Sequence, residues 1–158
     1  EKKKDIFAVI IHASILRPIL DYVCKALNDR GKIIIGDSQL IFSDHKKALD
    51  VSKIKELVKW YSQQTPINIE CIDLRVFKGV RTWLYGKWGR VPLNEDKRGY
   101  KFVNLGEDSC FKGIDPARLR ISIANPKNMV KHHSNGKHEY LFPSSLLESD
   151  VVISIPKL

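Results

Sequence analysis

IIIGDS, from Ile33 to Ser38, is the stretch of sequence that decides the fold class. Its three consecutive β-branched residues are typical of a strand that is covered on both faces of a parallel sheet. Gly36 then allows a sharp backbone turn, which presents the side chains of Asp37 and Ser38 beyond the end of the strand. The stretch therefore predicts a strand that ends in a candidate ligand site.

Strand-like and helical patterns lie on both sides of this stretch. Upstream, the apolar run Ile6–Ile11 predicts a first strand, and apolar residues at helical spacing predict an amphipathic helix from Pro18 to near Gly31. A strand, a helix and a strand within about thirty residues form a βαβ unit with parallel strands. Downstream, a helix within Val51–Tyr61 and a strand over Ile67–Leu74 repeat this unit.

The periodic pattern breaks down between Lys78 and Gly99, where aromatic, glycine and charged residues alternate without a sustained period. Further elements are predicted beyond it: strands at Tyr100–Leu105, Leu119–Ile123 and Val151–Ile155, and a helical turn around Ser144–Glu148. We therefore predict an α/β fold with a mostly parallel sheet and helices on both faces. It is a Rossmann-like three-layer sandwich with a long irregular insertion around residues 78–99.

Length and composition predict a single domain over residues 1–158, since 43% hydrophobic content is enough to form a core. The start at Glu1 and the end at Leu158, just after an apolar run, suggest a fragment of a longer protein. No apolar stretch approaches the roughly 20 residues that a membrane-spanning helix needs. The three cysteines are far apart, which is typical of a reducing compartment, so we expect a cytoplasmic location without a membrane partner.

The net charge of +9 predicts partners that carry negative charge. Ligands of parallel sheets bind beyond the carboxyl ends of the strands, so the predicted topology selects the residues that follow the first, second and last strands. Free amides at the start of the helix, together with Arg17, would hold a carboxylate or a phosphate. The selected positions are His12, Ser14, Arg17, Asp37, Ser38, Gln39, Pro156 and Lys157, and we predict His12, Ser14 and Arg17 as ligand-binding residues.

Other interpretations of these residues stay open. Arg17 is also compatible with a surface ion pair, and Asp37 with a turn cap. The basic aromatic segment 75–101 offers phosphate partners and stacking surfaces, which favours a nucleic-acid-binding module, whereas a structural or interaction domain would need no ligand. Metal-ligand residue types occur in Lys131–Glu139, but their spacing matches no known metal motif, so no metal or other cofactor is predicted within the chain.

Three passages resemble a known family: Arg17–Val23, Asp29–Ser38 and Leu147–Leu158, which ends in Ile155-Pro156-Lys157-Leu158. Together they are similar to the bacterial and archaeal proteins classed as domain of unknown function 362. Members are commonly joined to a ferredoxin-like domain, so the resemblance implies an iron-sulfur cluster elsewhere in the full-length protein and a redox role. It also implies that Asp37, Ser38 and Lys157 are catalytic positions.

Overall fold

The computed structural model describes residues 7, 9–81, 88–119 and 126–156. The chain divides into two compact units: the first unit comprises Glu1–Asp96 and Val151–Leu158, and the second unit comprises Lys97–Asp150. Among the described residues, no helix combines the length and the apolar character that crossing a membrane requires.

The first unit is built on one parallel strand pair and one antiparallel strand pair. Its elements are α1 (Ala13–Leu27), β1 (Lys32–Asp37), α2 (His45–Val51), α3 (Ile54–Gln64), β2 (Asn68–Asp73), β3 (Phe77–Arg81) and β4 (Trp88–Pro92). The parallel pair joins β1 to β2 over their whole length, and two helices, α2 and α3, lie between them in the chain. The antiparallel pair, β3 with β4, follows directly.

The amphipathic helix predicted before β1 is confirmed, but it begins at Ala13 rather than at Pro18. The ring Nδ1 of His12 accepts a hydrogen bond from the amide of Ser14 and so caps the first turn. Pro18 therefore lies inside the helix. The helix ends at Leu27: the amide of Asn28 makes the last helical hydrogen bond, to the carbonyl of Cys24, and the left-handed backbone of Asn28 then turns the chain out of the helix.

The core of the first unit lies where α1 packs against α3. Leu16, Leu20 and Tyr61 are buried there, with Leu20 only 2% exposed. The Tyr61 hydroxyl donates to the carbonyl of Arg17 at 3.0 Å and to the carboxylate of Asp21, which joins the two helices. Partly buried side chains complete the core: Cys24, Ile33, Ile35, Ile54, Leu57, Ile69 and Ile155.

The second unit is organised around one antiparallel strand pair, β5 (Tyr100–Asn104) with β6 (Glu139–Pro143). Helix α4 (Pro126–His132) precedes β6 and helix α5 (Ser144–Leu147) follows it directly. Two short 3₁₀ turns, Gly106–Asp108 and Pro116–Arg118, lie between β5 and α4. The strand predicted from Tyr100 and the helical turn predicted from Ser144 are thus confirmed.

The prediction of a Rossmann-like sandwich is wrong. Within the described residues no sheet has more than two strands, and only the β1–β2 pair is parallel. The run Ile6–Ile11 forms no strand in its described part: Phe7, Val9 and Ile10 lie in turns and a bend, and Val9 is exposed. A short apolar run has strand propensity, but a strand also needs a partner, which periodicity does not reveal.

Three other predicted parts of the sheet differ from the structure or extend outside the described residues. Residues 151–156 form no strand, and Val151, Val152 and Ile153 are exposed. Most of the strand expected over Leu119–Ile123 lies outside the described residues; Leu119 itself ends a 3₁₀ turn. In the described part of the predicted irregular insertion at 78–99, most of the β3–β4 ribbon is found, and residues 82–87 lie outside the described residues. The sequence did not reveal this ribbon, because its strands are too short and too rich in glycine to show a clear period of two.

Candidate ligand site at the carboxyl ends of the parallel strands

Strands β1 and β2 both end in an aspartate, and the parallel register places Asp37 directly opposite Asp73. The amide of Leu74 donates to the carbonyl of Asp37 at 2.9 Å, which extends the pairing past the strand ends. Gly36 leaves room for the side chain of Leu74, since a Cβ there would lie 2.7 Å from Cδ1 of Leu74. Two carboxylates therefore lie at one edge of the sheet.

The two aspartates have different environments. Asp73 is 4% exposed and forms a bidentate ion pair with Arg75, with Nε to Oδ1 at 2.9 Å and Nη2 to Oδ2 at 2.6 Å. Burial raises the pKa of Asp73, but the hydrogen bonds and charge of Arg75 outweigh burial and hold the pKa below its ordinary value. Asp37 is exposed, and within the described residues its carboxylate has no hydrogen bond or ion pair. One carboxylate is structural, whereas the other faces solvent.

Arg75 also fixes the loop that follows β1. Its Nη1 donates to the carbonyls of Leu40 and Ile41 at 2.7 and 3.2 Å. The amide of Gly79 bonds to the same Ile41 carbonyl at 2.7 Å.

The pKa of Arg75 is raised above its ordinary value, mainly by its bond to Asp73, with further contributions from the charges of Asp37 and Asp44. The edge is thus ordered and acidic.

The start of α2 lies close to this edge, since the charge of Asp44 acts on Arg75, and it adds polar groups. The carboxylate of Asp44 caps α2 by accepting from the amide of Lys47 at 3.1 Å. Both ring nitrogens of His45, and Oε1 of Gln39, are shielded from solvent and have no hydrogen-bond partner within the described residues. Unpaired buried polar atoms cost about 1–3 kcal/mol each, and a bound water, ion or ligand would offset that cost.

Lys46 and Lys47 supply positive charge on the first turn of α2. Both are exposed, and neither has an ion pair in the part of the chain that the structure describes. Hydrogen-bond acceptors at the strand ends and cations on the adjacent helix therefore occupy one region of the first unit.

The residues predicted around α1 have structural partners. The first amides of the helix are bonded: Ala13 to the carbonyl of Ser52 at 2.8 Å, Ser14 to the ring of His12, and Ile15 to the carbonyl of His12. The ring of His12 also bonds the hydroxyl of Ser14 at 2.9 Å. These amides are therefore not open to an anion.

Arg17 is likewise engaged. Its Nε donates to both oxygens of Asp21 at 3.1 and 3.2 Å, and its guanidinium lies 4.2 Å from the centre of the Trp60 ring. In the described part of the chain, no hydrogen bond or ion pair joins His12, Ser14 or Arg17 to Asp37 or Ser38. Asp37 and Ser38 lie together at the end of β1, Pro156 is exposed, and Lys157 lies outside the described residues.

Sequence reasoning missed Asp73, Arg75 and the lysines of α2. A usable signal was present, since both predicted strands, IIIGD and NIECID, end in aspartate. Parallel strands that end in the same residue type bring those residues to one edge. The pairing of Asp73 with Arg75 could not be inferred from spacing alone.

No group of three or more histidine, cysteine, aspartate or glutamate side chains is arranged to hold a metal ion within the described residues. The histidines of Lys131–Glu139 form two pairs in the second unit. Nδ1 of His132 lies 2.9 Å from the carboxylate of Glu139, and Nδ1 of His133 lies 3.4 Å from Nδ1 of His138. His133 and His138 are both buried, although the sequence suggested an exposed turn.

This histidine pair predicts that the second unit loses stability in acid. Burial lowers the pKa of His133, and the neighbouring His138 and His132 lower it further, while Glu139 opposes them. When the pKa of a histidine is lower in the folded state than in the unfolded state, where it is about 6.5, its contribution to stability is complete above pH 6.5 or so. That contribution is lost as the pH falls through the pKa of the folded state. We expect amide exchange in β5 and β6, corrected for the intrinsic rates, to be faster at pH values below about 6 than at pH 7.5.

Hydrogen exchange with mass spectrometry checks this expectation. His133→Asn should weaken the acid sensitivity, whereas His12→Asn, in the first unit, should leave it unchanged. An unchanged acid response in His133→Asn would contradict the role of the buried pair.

No family model matches this chain, and neither a curated protein nor a solved structure matches it. The resemblance in the end passages therefore remains a prediction.

Proposed function

We propose that the first unit binds a small hydroxylated anion, such as a sugar phosphate or a hydroxycarboxylate, at the carboxyl ends of β1 and β2. Asp37 and Ser38 bond the hydroxyl groups of the ligand, and Lys46 and Lys47 attract its anionic group. The observation that carries this proposal is that the two aspartates at the aligned strand ends differ. Asp73 is ion-paired with Arg75, whereas Asp37 is exposed and has no partner among the described residues.

The surrounding contacts support this assignment of roles. A carboxylate accepts hydrogen bonds only, so Asp37 suits a hydroxyl donor and repels a bare anion. The loop after β1 is held by Arg75, so Asp37 and Ser38 are attached to an ordered frame. The net charge of +9 raises the rate at which an anionic ligand arrives.

The family resemblance extends this proposal to catalysis. In that role, Asp37 would act as a base toward the bound hydroxyl group, with Ser38 and Lys157 as the further catalytic positions. The redox partner would be an iron-sulfur cluster in a ferredoxin-like domain of the same cytoplasmic protein. Iron and sulfide analysis of the full-length protein tests this part separately.

Ligand-induced thermal stabilisation tests the binding proposal. We expect at least one sugar phosphate or hydroxycarboxylate in a panel to raise the melting temperature. Asp37→Asn should weaken that ligand by about ten- to a hundredfold, because a hydrogen bond to a charged group contributes about 1.5–3 kcal/mol. Lys46→Ala combined with Lys47→Ala should weaken it as well.

Asp108→Asn is the matched control, since Asp108 is an exposed aspartate of the second unit without a described side-chain partner. It should bind like the wild type. If no compound in the panel binds, or if Asp37→Asn and Asp108→Asn bind equally well, the proposal is wrong.

A further inference from the structure

His45, the first residue of α2, has a side chain without hydrogen bonds in the described part of the chain. Both of its ring nitrogens are shielded from solvent. A neutral imidazole has one N–H donor and one acceptor nitrogen, so burial without partners is unfavourable for both atoms. The free protein therefore keeps the His45 ring at an energetic cost, which hydrogen bonds to a ligand would offset.

A further unpaired polar atom lies a few residues before His45. Oε1 of Gln39, in the loop between β1 and α2, is also shielded from solvent and has no partner among the described residues. The only other such atom that the structure describes is Oγ of Ser144, which belongs to the second unit. In the described residues of the first unit, unpaired buried side-chain atoms are thus confined to the segment that follows Asp37.

This segment borders the aligned ends of the parallel strands. The charge of His45 acts on the carboxylate of Asp73, and Asp73 lies opposite Asp37 in the register of the strand pair. Arg75, the ion-pair partner of Asp73, donates to the carbonyls of the two residues after Gln39. His45 and Gln39 therefore lie near the same edge as Asp37.

The position of His45 in α2 lets its ring reach a ligand. Its two neighbours in the chain, Asp44 and Lys46, are both exposed. A rotation of the His45 side chain between staggered conformations can bring the ring nitrogens to this exposed surface. Such a rotation breaks no hydrogen bond of the ring within the described residues.

We propose that His45 binds a second hydroxyl group of the ligand whose first hydroxyl group is bound by Asp37. A hydroxyl group is both a donor and an acceptor, so it can pair with either nitrogen of a neutral imidazole. An anion with a single hydroxyl group would leave His45 or Asp37 unpaired. The ligand class therefore narrows to polyhydroxylated anions such as sugar phosphates. This inference rests on the proposed function of the site.

Two variants of His45 test the stability part of the inference. His45→Leu introduces a side chain of similar size without polar atoms, whereas His45→Gln keeps a donor and an acceptor. Leucine and glutamine have similar helix propensities, so the difference between the variants reports the polar atoms. We expect the urea midpoint of unfolding to be higher in His45→Leu than in the wild type and in His45→Gln, because the unpaired nitrogens are removed.

Ligand affinity should change in the opposite direction. The probes are glucose, ribose and glycerol phosphates, with hydroxypropyl phosphate as a compound that has a single hydroxyl group. We expect the tightest of the first three to bind His45→Leu about three- to tenfold more weakly than the wild type, as for one lost hydrogen bond. His45→Gln should lose less affinity. Hydroxypropyl phosphate should bind the wild type more weakly than that ligand.

Failure of this inference differs from failure of the proposed function. An affinity that falls in Asp37→Asn but not in His45→Leu would overturn the role of His45 and leave the site at Asp37 in place. A urea midpoint lower in His45→Leu than in the wild type, or hydroxypropyl phosphate that binds as tightly as the sugar phosphates, would overturn the inference as well. If no probe binds, or if Asp37→Asn binds like the wild type, the proposed function is wrong and the inference with it.

Discussion

Replacing Arg75 with alanine is expected to destabilise the first unit by about 3–5 kcal/mol, because Asp73 would keep a buried charge without its partner. The side chains of both residues are almost fully buried, at 6% and 5% exposure. Arg75→Ala also removes the donor to the carbonyls of Leu40 and Ile41. Urea unfolding followed by tryptophan fluorescence measures the loss, since all three tryptophans belong to the first unit.

Two further variants separate the buried charge from other effects. The double variant Arg75→Met with Asp73→Leu removes both charges, so it should be more stable than Arg75→Ala alone. Lys55→Ala breaks an exposed ion pair with Asp50 and should cost at most about 1 kcal/mol. An Arg75→Ala loss as small as that of Lys55→Ala would contradict the structural role of the pair.

The same pair contributes to the acid sensitivity of the first unit. Because the folded pKa of Asp73 is below its ordinary value of 3.8, its contribution to stability is complete above that value. It is lost as the pH falls further, through the folded pKa. Arg75→Ala should therefore remove part of the acid dependence of unfolding.

Tyr61→Ala is expected to be similarly destabilising, by about 3–5 kcal/mol, because it opens a cavity where α1 meets α3. Tyr61 is 3% exposed and belongs to the buried cluster with Leu16 and Leu20. Its hydroxyl is also the link to Asp21 and to the carbonyl of Arg17. Burial and the bond to Asp21 raise the pKa of Tyr61, so the hydroxyl stays a donor at physiological pH.

Tyr61→Phe separates the ring from the hydroxyl. It should cost about 0.5–1.5 kcal/mol, since the hydrogen bonds of the Tyr61 hydroxyl are lost while the carbonyl of Arg17 keeps its helical partner. Tyr22→Ala is the control, because Tyr22 is 75% exposed on the same helix as Arg17. In urea unfolding, Tyr61→Ala should lose the most stability, Tyr61→Phe less and Tyr22→Ala the least. A Tyr22→Ala loss equal to that of Tyr61→Ala would contradict the proposed core.

The local elements of the first unit were predictable from sequence. Helical spacing located α1 and α3, a β-branched run located β1 and an alternating pattern located β2, because each pattern reports a local period or a buried face. The parallel pairing followed from the helices between β1 and β2. Asp37 and Ser38 were then placed correctly at the end of a parallel strand.

The extent of the sheet was not predictable. Ile6–Ile11 and Val151–Ile155 are rich in β-branched residues, as β1 is, yet in their described residues neither forms a strand. Strand formation depends on a partner that is distant in the sequence, and no local period encodes that partner. The ion pair of Asp73 with Arg75 was not predictable for a related reason, since the side chains of two residues two positions apart can form an ion pair or point away from each other.

The central claim, a ligand site beside Asp37, is tested most directly by amide chemical-shift mapping. The ¹⁵N-labelled chain would be titrated with the tightest compound of the sugar phosphate and hydroxycarboxylate panel. We predict the largest shifts at residues 37–39 and 44–47, and their loss in Asp37→Asn. Shifts confined to α1 around residues 12–17, or shifts that persist in Asp37→Asn, would contradict the claim.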